Sequence, residues 1–247
     1  MRKSVIMILV ILAIICLSCT RKSGEMTILT ENYPPLSYEE NGVVTGYGAD
    51  VVAALQQELN TDITPTLLPW DKAYTRALNE PNVVLFTIEK TPEREAKFNF
   101  IGPLGANTAY FYALAENPLE LADLDAASRV KAIATTTNWF TEQYLVAQGF
   151  NNLISKTDPI DNLKMLVSTE ADLGVFTDLT FPQICKEAGI APETLKPVLH
   201  LMQSEYYIAI SKATDPKIVR LWEAAFAKLQ ADGTLANLKG KWFPISD

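Results

Sequence analysis

Val83-Val84-Leu85-Phe86-Thr87-Ile88 is a short, almost wholly apolar run, followed at once by the polar Glu89-Lys90-Thr91-Pro92. A strand that is apolar on both faces belongs inside a parallel sheet covered by helices. Toward the N-terminus, Met26 to Thr30 reads as a second buried strand and Ile63 to Leu67 as a third. Between them Gly46-Tyr47-Gly48 leads into a helix from Ala49 to Leu59, with Val51, Val52, Leu55 and Leu59 on one face. Pro69-Trp70-Asp71 opens another helix that runs through Tyr74 to Leu78, and Asn41-Gly42 is a hairpin turn signal. Strand, helix, strand, helix, strand is an α/β unit with parallel pairing.

Toward the C-terminus the pattern restarts. Val130 to Thr135 reads as a strand, Asn138 to Gln148 as a helix closed by Gly149, and Asn162 to Ser168 as a helix. Leu173 to Thr177 reads as a buried strand, and Phe181 to Ala188 as a helix that stops at Gly189. Asp215 and Pro216 start the clearest helix of the chain; its expected buried stripe is Ile218, Leu221, Trp222, Ala225 and Leu229, and Gly233 ends it. Two such units predict two α/β lobes, each a mostly parallel sheet flanked by helices. The lobes are expected to be joined by two short extended hinge strands near Ala109–Ala113 and Ser204–Ala209. The one histidine, His200, falls in the strand-like run Pro197 to Met202 and is expected to be structural.

The first residues differ in kind. Arg2 and Lys3 precede an unbroken apolar run of 11 residues, Val5 to Ile15. A membrane-spanning helix needs about 20 apolar residues, whereas this run has the length of a signal-peptide core. Ser18 before Cys19 resembles the lipobox of bacterial lipoproteins, with cleavage at residue 18 and a lipid on Cys19. Cys16 and Leu17 depart from that pattern, and plain secretion or an uncleaved anchor are the alternatives; each exports the globular part. Removing residues 1–18 takes away Arg2 and Lys3 and no acid, which moves the net charge from −8 to −10. That balance excludes a nucleic-acid partner, whose phosphates demand a basic face. With Cys16 removed and Cys19 lipidated, Cys185 has no partner for a disulfide, and one histidine cannot build a His-rich zinc site. No cofactor and no metal are expected, and the sequence has neither a Walker-type phosphate loop nor a Gly-x-Ser-x-Gly elbow.

Five pieces of the chain, in order, carry a resemblance. They are Tyr33-Pro-Pro-Leu to Gly46-Tyr47; Thr91-Pro92-Glu93-Arg94-Glu95; Ala171-Asp172-Leu173-Gly174-Val175-Phe176-Thr177-Asp178; Tyr206-Tyr207-Ile208-Ala209-Ile210-Ser211-Lys212; and Asp232-Gly233-Thr234-Leu235 with Lys241-Trp242. Together they resemble bacterial extracellular solute-binding proteins of the polar amino-acid type, family 3, over residues 26–243. The resemblance implies the type II clamshell of periplasmic binding proteins: signal peptide 1–18, tether 19–25, first lobe 26–110 and 205–247, second lobe 111–204.

It also implies roles. Arg94 would grip the ligand carboxylate, since a guanidinium offers paired donors to two oxygens; the alternative is a surface arginine paired with Glu93 or Glu95. Asp178 would accept the ligand ammonium from the other lobe, or else cap the helix at Phe181. A zwitterion held by both would favour the closed state. Tyr33 and Trp70 stand where the family sets side chains against the ligand, or are core. Thr87 sits at the carboxylate-binding strand end. Thr136, Thr137 and Asn138 lead into a helix start, where free N–H groups attract an anion or are simply capped. Glu89 departs from the family, which has a small or hydroxylic residue there; it pairs with Arg94, receives a basic group of the ligand, or faces solvent beside Lys90.

The function implied is a monomeric receptor, lipid-anchored outside the cytoplasmic membrane. It captures a small ligand, an amino acid, and delivers it to the membrane subunits of an ABC importer without catalysis. Two alternatives stand beside it: a cyclohexadienyl-dehydratase-like enzyme with Glu89 as general acid, and a sensory module for a signalling partner.

Overall fold

The apolar run at Val83 forms a strand, Val83–Glu89 (β5), buried at every position. The computed structural model describes residues 26–243; the expected signal peptide, the tether and Cys19 lie outside the described residues. β5 runs parallel to β1, Thr27–Thr30, with Leu29 facing Leu85. On the far side of β1 lies β4, only Thr66–Leu67. The longer strand expected from Ile63 is cut short because Pro65 has no N–H to give to a ladder.

Helix α1, Tyr47–Glu58, begins at Gly46, whose φ is 119°. A Cβ on Gly46 would stand 2.4 Å from the Leu36 carbonyl oxygen, so only glycine fits. The hairpin read from Asn41-Gly42 joins β2, Tyr38–Glu40, to β3, Val43–Thr45, and both turn residues have positive φ. Helix α2 spans Trp70–Asn79, and α3 is the single turn Pro92–Glu95.

The second half repeats the scheme. After the short α4, Leu124–Ser128, strand β7, Ile133–Thr136, lies parallel to β8, Leu153–Lys156, and to β9, Leu173–Thr177. Helices α5 (Phe140–Ala147), α6 (Pro159–Val167) and α7 (Phe181–Ala188) flank them. Asn138, expected inside α5, instead precedes it with φ 62°, a left-handed value no helix tolerates.

One ribbon joins the halves. β6, Phe98–Leu114, and β10, Leu195–Ser211, are antiparallel partners, each of 17 residues. β10 bonds to β5 through Tyr206 to Ile210, and β6 bonds to β9 through Ala109 to Tyr112. The strand order is β4-β1-β5-β10-β6-β9-β7-β8, an eight-stranded sheet with a parallel set at each end. The crossing therefore lies at residues 105–108 against 203–206, ahead of the expected Ala109–Ala113, which already pairs in the second half. The connections are parts of two long strands rather than short separate ones.

Helix α8, Pro216–Ala231, starts as expected: Asp215 Oδ1 accepts from the Lys217 N–H at 2.8 Å, and Pro216 opens the first turn. Its buried stripe is Val219, Trp222, Ala225, Phe226 and Leu229. Leu221, read as part of it, is 59% exposed, because Val219, Trp222 and Phe226 set a face that Leu221 points away from. Helix α9, Thr234–Trp242, packs against α1 and α8. His200 is exposed on β10, its ring edge-on to Tyr110, so it does not serve the core. Cys185 is buried and free. Among the described residues, no helix is long and apolar enough to cross a membrane.

The apolar cores separate by half. One gathers β1, α1, α2, β5 and α8. Others gather on the two sides of β6 and β9 around Phe111 and Phe150, and around Tyr112, Phe176 and Phe181. The exception is Trp139, which belongs to the second half in sequence but is buried with the first core.

Candidate functional site

Parallel strands deliver their polar residues at their C-terminal ends, where open α/β sheets bind ligands. Here those ends are Glu31 after β1, Thr87 to Glu89 in β5, Thr136 to Trp139 after β7, and Thr177 in β9. The two halves bring these ends face to face.

Arg94 comes from α3 and is 0% exposed. Its guanidinium carbon lies 4.9 Å from the Trp70 ring centroid and 5.3 Å from that of Tyr74, and the two rings stack at 5.2 Å. Nη1 donates to the Glu89 carbonyl at 3.2 Å and lies 3.8 Å from the Glu89 carboxylate. Nη2 donates to the Asn138 carbonyl at 3.1 Å. Nε and the Tyr74 hydroxyl, both buried, make no well-formed hydrogen bond. Arg94 is thus no surface arginine, and Glu95 pairs with Lys90 instead, at 2.9 Å.

Glu89 is buried and does not face solvent. Its Oε1 accepts from Asn107 Nδ2 at 3.3 Å. The same amide nitrogen donates to Tyr33 Oη at 3.1 Å, and Ser204 Oγ donates to Asn107 Oδ1 at 2.6 Å. Burial raises the Glu89 carboxyl above the usual carboxylate range, and the Arg94 charge pulls it back. Glu31 is raised further: burial leads, the Glu89 charge adds, and the bond from Trp139 opposes. That bond, Trp139 Nε1 to Glu31 Oε2 at 3.1 Å, crosses between the halves. Trp139 also lies 5.3 Å from the Tyr33 ring.

Three further bonds cross over. Trp70 Nε1 donates to the Asn138 carbonyl at 2.8 Å, so that oxygen serves Trp70 and Arg94 together. Tyr33 Oη lies 3.4 Å from Thr177 Oγ1. A cleft of about 360 Å³ opens beside these contacts. Glu31, Tyr33, Trp70 and Trp139 line one part; Asp158, Ile160, Thr180 and Ile184 line another.

The expected site residues divide. Tyr33 and Trp70 line the cleft. Arg94 and Glu89 do not line it; they connect to it through Trp70 and, by way of Asn107, through Tyr33. Thr87 is buried with φ 63°, and its hydroxyl is taken up by the Phe86 carbonyl at 2.6 Å and by Ser37 Oγ at 3.0 Å. Thr136 Oγ1 accepts from Asn162 Nδ2 at 2.9 Å, and the Thr137 N–H donates to the Lys156 carbonyl at 2.9 Å. Asn138 meets the site with its carbonyl, while its N–H is capped by the Glu142 carboxylate; free N–H groups are not what it offers. Asp178 is exposed at the crossing. Its Oδ1 accepts from the Thr108 N–H at 2.9 Å, so it neither joins Arg94 nor caps α7.

Glu31, Asn107 and Trp139 were not read from the sequence. Glu31 carried a usable signal, since it directly follows a buried parallel strand. Trp139 and Asn107 each reach Tyr33, 106 and 74 positions away in the chain, a contact that no local pattern encodes.

The sequence profile of the bacterial extracellular solute-binding proteins, family 3, matches residues 26–245. An amino-acid-binding protein, AabA, of Dichelobacter nodosus is 23% identical over 228 residues, covering 87% of each chain. The ABC transporter arginine-binding protein 1 of Escherichia coli (strain K12) is 24% identical over 230 residues, covering 87% of this chain and 89% of the relative. Among solved structures, a histidine kinase sensor domain with similarity to periplasmic binding proteins superposes with a TM-score of 0.80 at 20% identity, over 91% of this chain and 98% of that one. At that identity the likeness speaks for the fold.

Proposed function

The chain belongs to the bacterial extracellular solute-binding proteins, family 3, and we propose that it captures an amino acid between its two lobes and delivers it to the membrane subunits of an ABC importer. One observation carries the reading: the cleft has a wall from each half, and bonds at the Asn138 carbonyl and at Trp139 tie those walls directly together. A cleft closed by such contacts opens when the β6–β10 ribbon flexes. Opening removes the Asn138 carbonyl from Arg94, and the freed donor is then available to a ligand carboxylate. Asp178, Glu89, Thr87, Thr136 and Thr137 belong to the proposed ligand surface of the opened form. The lobes divide within the β6–β10 ribbon, close to 110/111 and 204/205, and the receptor acts as a monomer held outside the cytoplasmic membrane by a lipid on Cys19.

The test is a titration with the twenty amino acids, followed by the fluorescence of Trp70 and Trp139 at the junction and by small-angle scattering. A ligand is expected to change the emission and shrink the scattering radius, and to stimulate ATP hydrolysis by the importer in vesicles. Binding without any effect on an importer would favour the sensory reading, which draws on the likeness to the kinase sensor domain. The dehydratase reading draws on Glu89, a buried carboxyl whose proton is held above the usual range. It predicts elimination from cyclic precursors of aromatic amino acids, lost in Glu89→Gln.

A further inference from the structure

We infer that Asn138 and Trp139 are a built-in occupant of the ligand seat: in the closed, unliganded form they hold the groups a ligand needs, and a ligand binds by replacing them. The inference rests on the receptor reading above and specifies how its affinity is set. Four groups of the first half turn toward the second: the Arg94 guanidinium, the Trp70 indole N–H, the Glu31 carboxylate and the Tyr33 ring. One dipeptide meets all of them. The Asn138 carbonyl oxygen accepts from Arg94 Nη2 at 3.1 Å and from Trp70 Nε1 at 2.8 Å. The Trp139 indole donates to Glu31 Oε2 at 3.1 Å, and its ring lies 5.3 Å from that of Tyr33. Trp139 is 5% exposed, yet it is buried in the core of the other half.

The dipeptide is held in that pose from its own half. Asn138 has φ 62°, the Glu142 carboxylate accepts its N–H, and the Trp139 N–H donates to the Thr136 carbonyl at 3.1 Å. Opening therefore withdraws both residues together. While they are in place a carboxylate has no partner. Arg94 is 0% exposed, with Nη1 on the Glu89 carbonyl and Nη2 on that of Asn138. Among the described residues, no lysine, arginine or histidine lines the cleft of about 360 Å³ left beside Trp139. A ligand carboxylate and the Asn138 carbonyl thus exclude one another at Arg94. The carboxylate wins the exchange because it offers the guanidinium paired, ionised acceptors where the carbonyl offers a single neutral one. The unliganded chain divides between a self-closed and an open form, and only the open form binds. Its apparent affinity is reduced by the fraction that is open.

The experiment compares the full chain with Trp139→Phe and Trp139→Ala, by calorimetric titration with each of the twenty amino acids and by small-angle scattering without ligand. Trp139→Phe keeps a ring against Tyr33 and loses the N–H to Glu31; Trp139→Ala loses both. A melting curve checks that each variant folds, and Trp139→Phe, the gentler change, carries the test alone if Trp139→Ala unfolds. One amino acid is expected to bind Trp139→Phe about 10-fold more tightly than the parent, the worth of a hydrogen bond to a charged group, and Trp139→Ala at least as tightly as Trp139→Phe. Both unliganded variants are expected to give a larger scattering radius than the parent. An amino acid that binds Trp139→Phe and the parent equally, or the variant more weakly, makes Trp139 a wall of the ligand site; it overturns the inference and leaves the receptor standing. An unliganded Trp139→Phe with the parent's radius also overturns it. Failure of every amino acid to bind any of the chains removes the receptor reading, and the inference with it.

Discussion

Arg94 is enclosed by two aromatic rings, a carboxylate and two carbonyl oxygens, and no part of it meets water. Removing one member of a buried ion pair strands the other, at a cost of about 3–5 kcal/mol. Arg94→Ala is therefore expected to lower stability by about that amount in urea unfolding, besides weakening any carboxylate ligand. Glu31 predicts the opposite sign. Its carboxyl is raised in the fold, so the folded chain keeps a proton that the unfolded chain releases near the ordinary glutamate value. Stability then falls as pH rises from that value through the raised one. Glu31→Gln cannot titrate, so in urea its advantage over the parent is expected to be larger at pH 8 than at pH 4. A site residue that destabilises the fold it serves is a familiar trade. At this scale the sequence singled out Arg94 and Glu89, which the structure sets side by side, and Tyr33, which it sets in the cleft wall. It was silent on Trp139, whose neighbours Thr136 to Asn138 drew attention to backbone N–H groups that turn out to be occupied.

Helix α8 marks what an element's sequence can and cannot tell. Its cap, first-turn proline and terminal glycine are local, and all were legible. Its buried face depends on what packs against it, and Leu221 was assigned to the wrong side. Trp222→Ala is expected to cost about 3–5 kcal/mol, as for other buried aromatic truncations, and Leu221→Ser less than about 0.5 kcal/mol, both read from urea midpoints. The ribbon was harder to read. At its crossing Asn107, Thr108, Gln203, Ser204 and Glu205 interrupt the apolar alternation, and register shifts break the ladder. A 17-residue strand so interrupted reads as two short ones. The polar interruption is what supplies Asn107 to Glu89 and Ser204 to Asn107, so the same residues that hid the strand connect it to the site.

At the scale of the whole molecule, Trp139 ties the halves together beyond the ribbon, through Glu31 and Tyr33. Trp139→Ala is expected to increase the scattering radius of the unliganded protein by loosening the closed arrangement, while leaving circular dichroism unchanged. Two lobes were legible because the strand–helix pattern restarts after residue 130; their closure on one another was not, since it is fixed by single side chains far apart in sequence. Outside the described residues, Cys19→Ser is expected to move the protein from the membrane to the soluble fraction on cell fractionation. One feature of the core bears on how the chain is made. The first core is assembled from both chain ends, with α8 packed on strands begun at residue 27, whereas the second half is contiguous. A chain that emerges N-terminus first can finish its middle before its beginning. The outer edge of β5, written early, must wait open until residues 206–210 arrive to pair with it. For that interval the molecule depends on whatever shields an unfinished sheet.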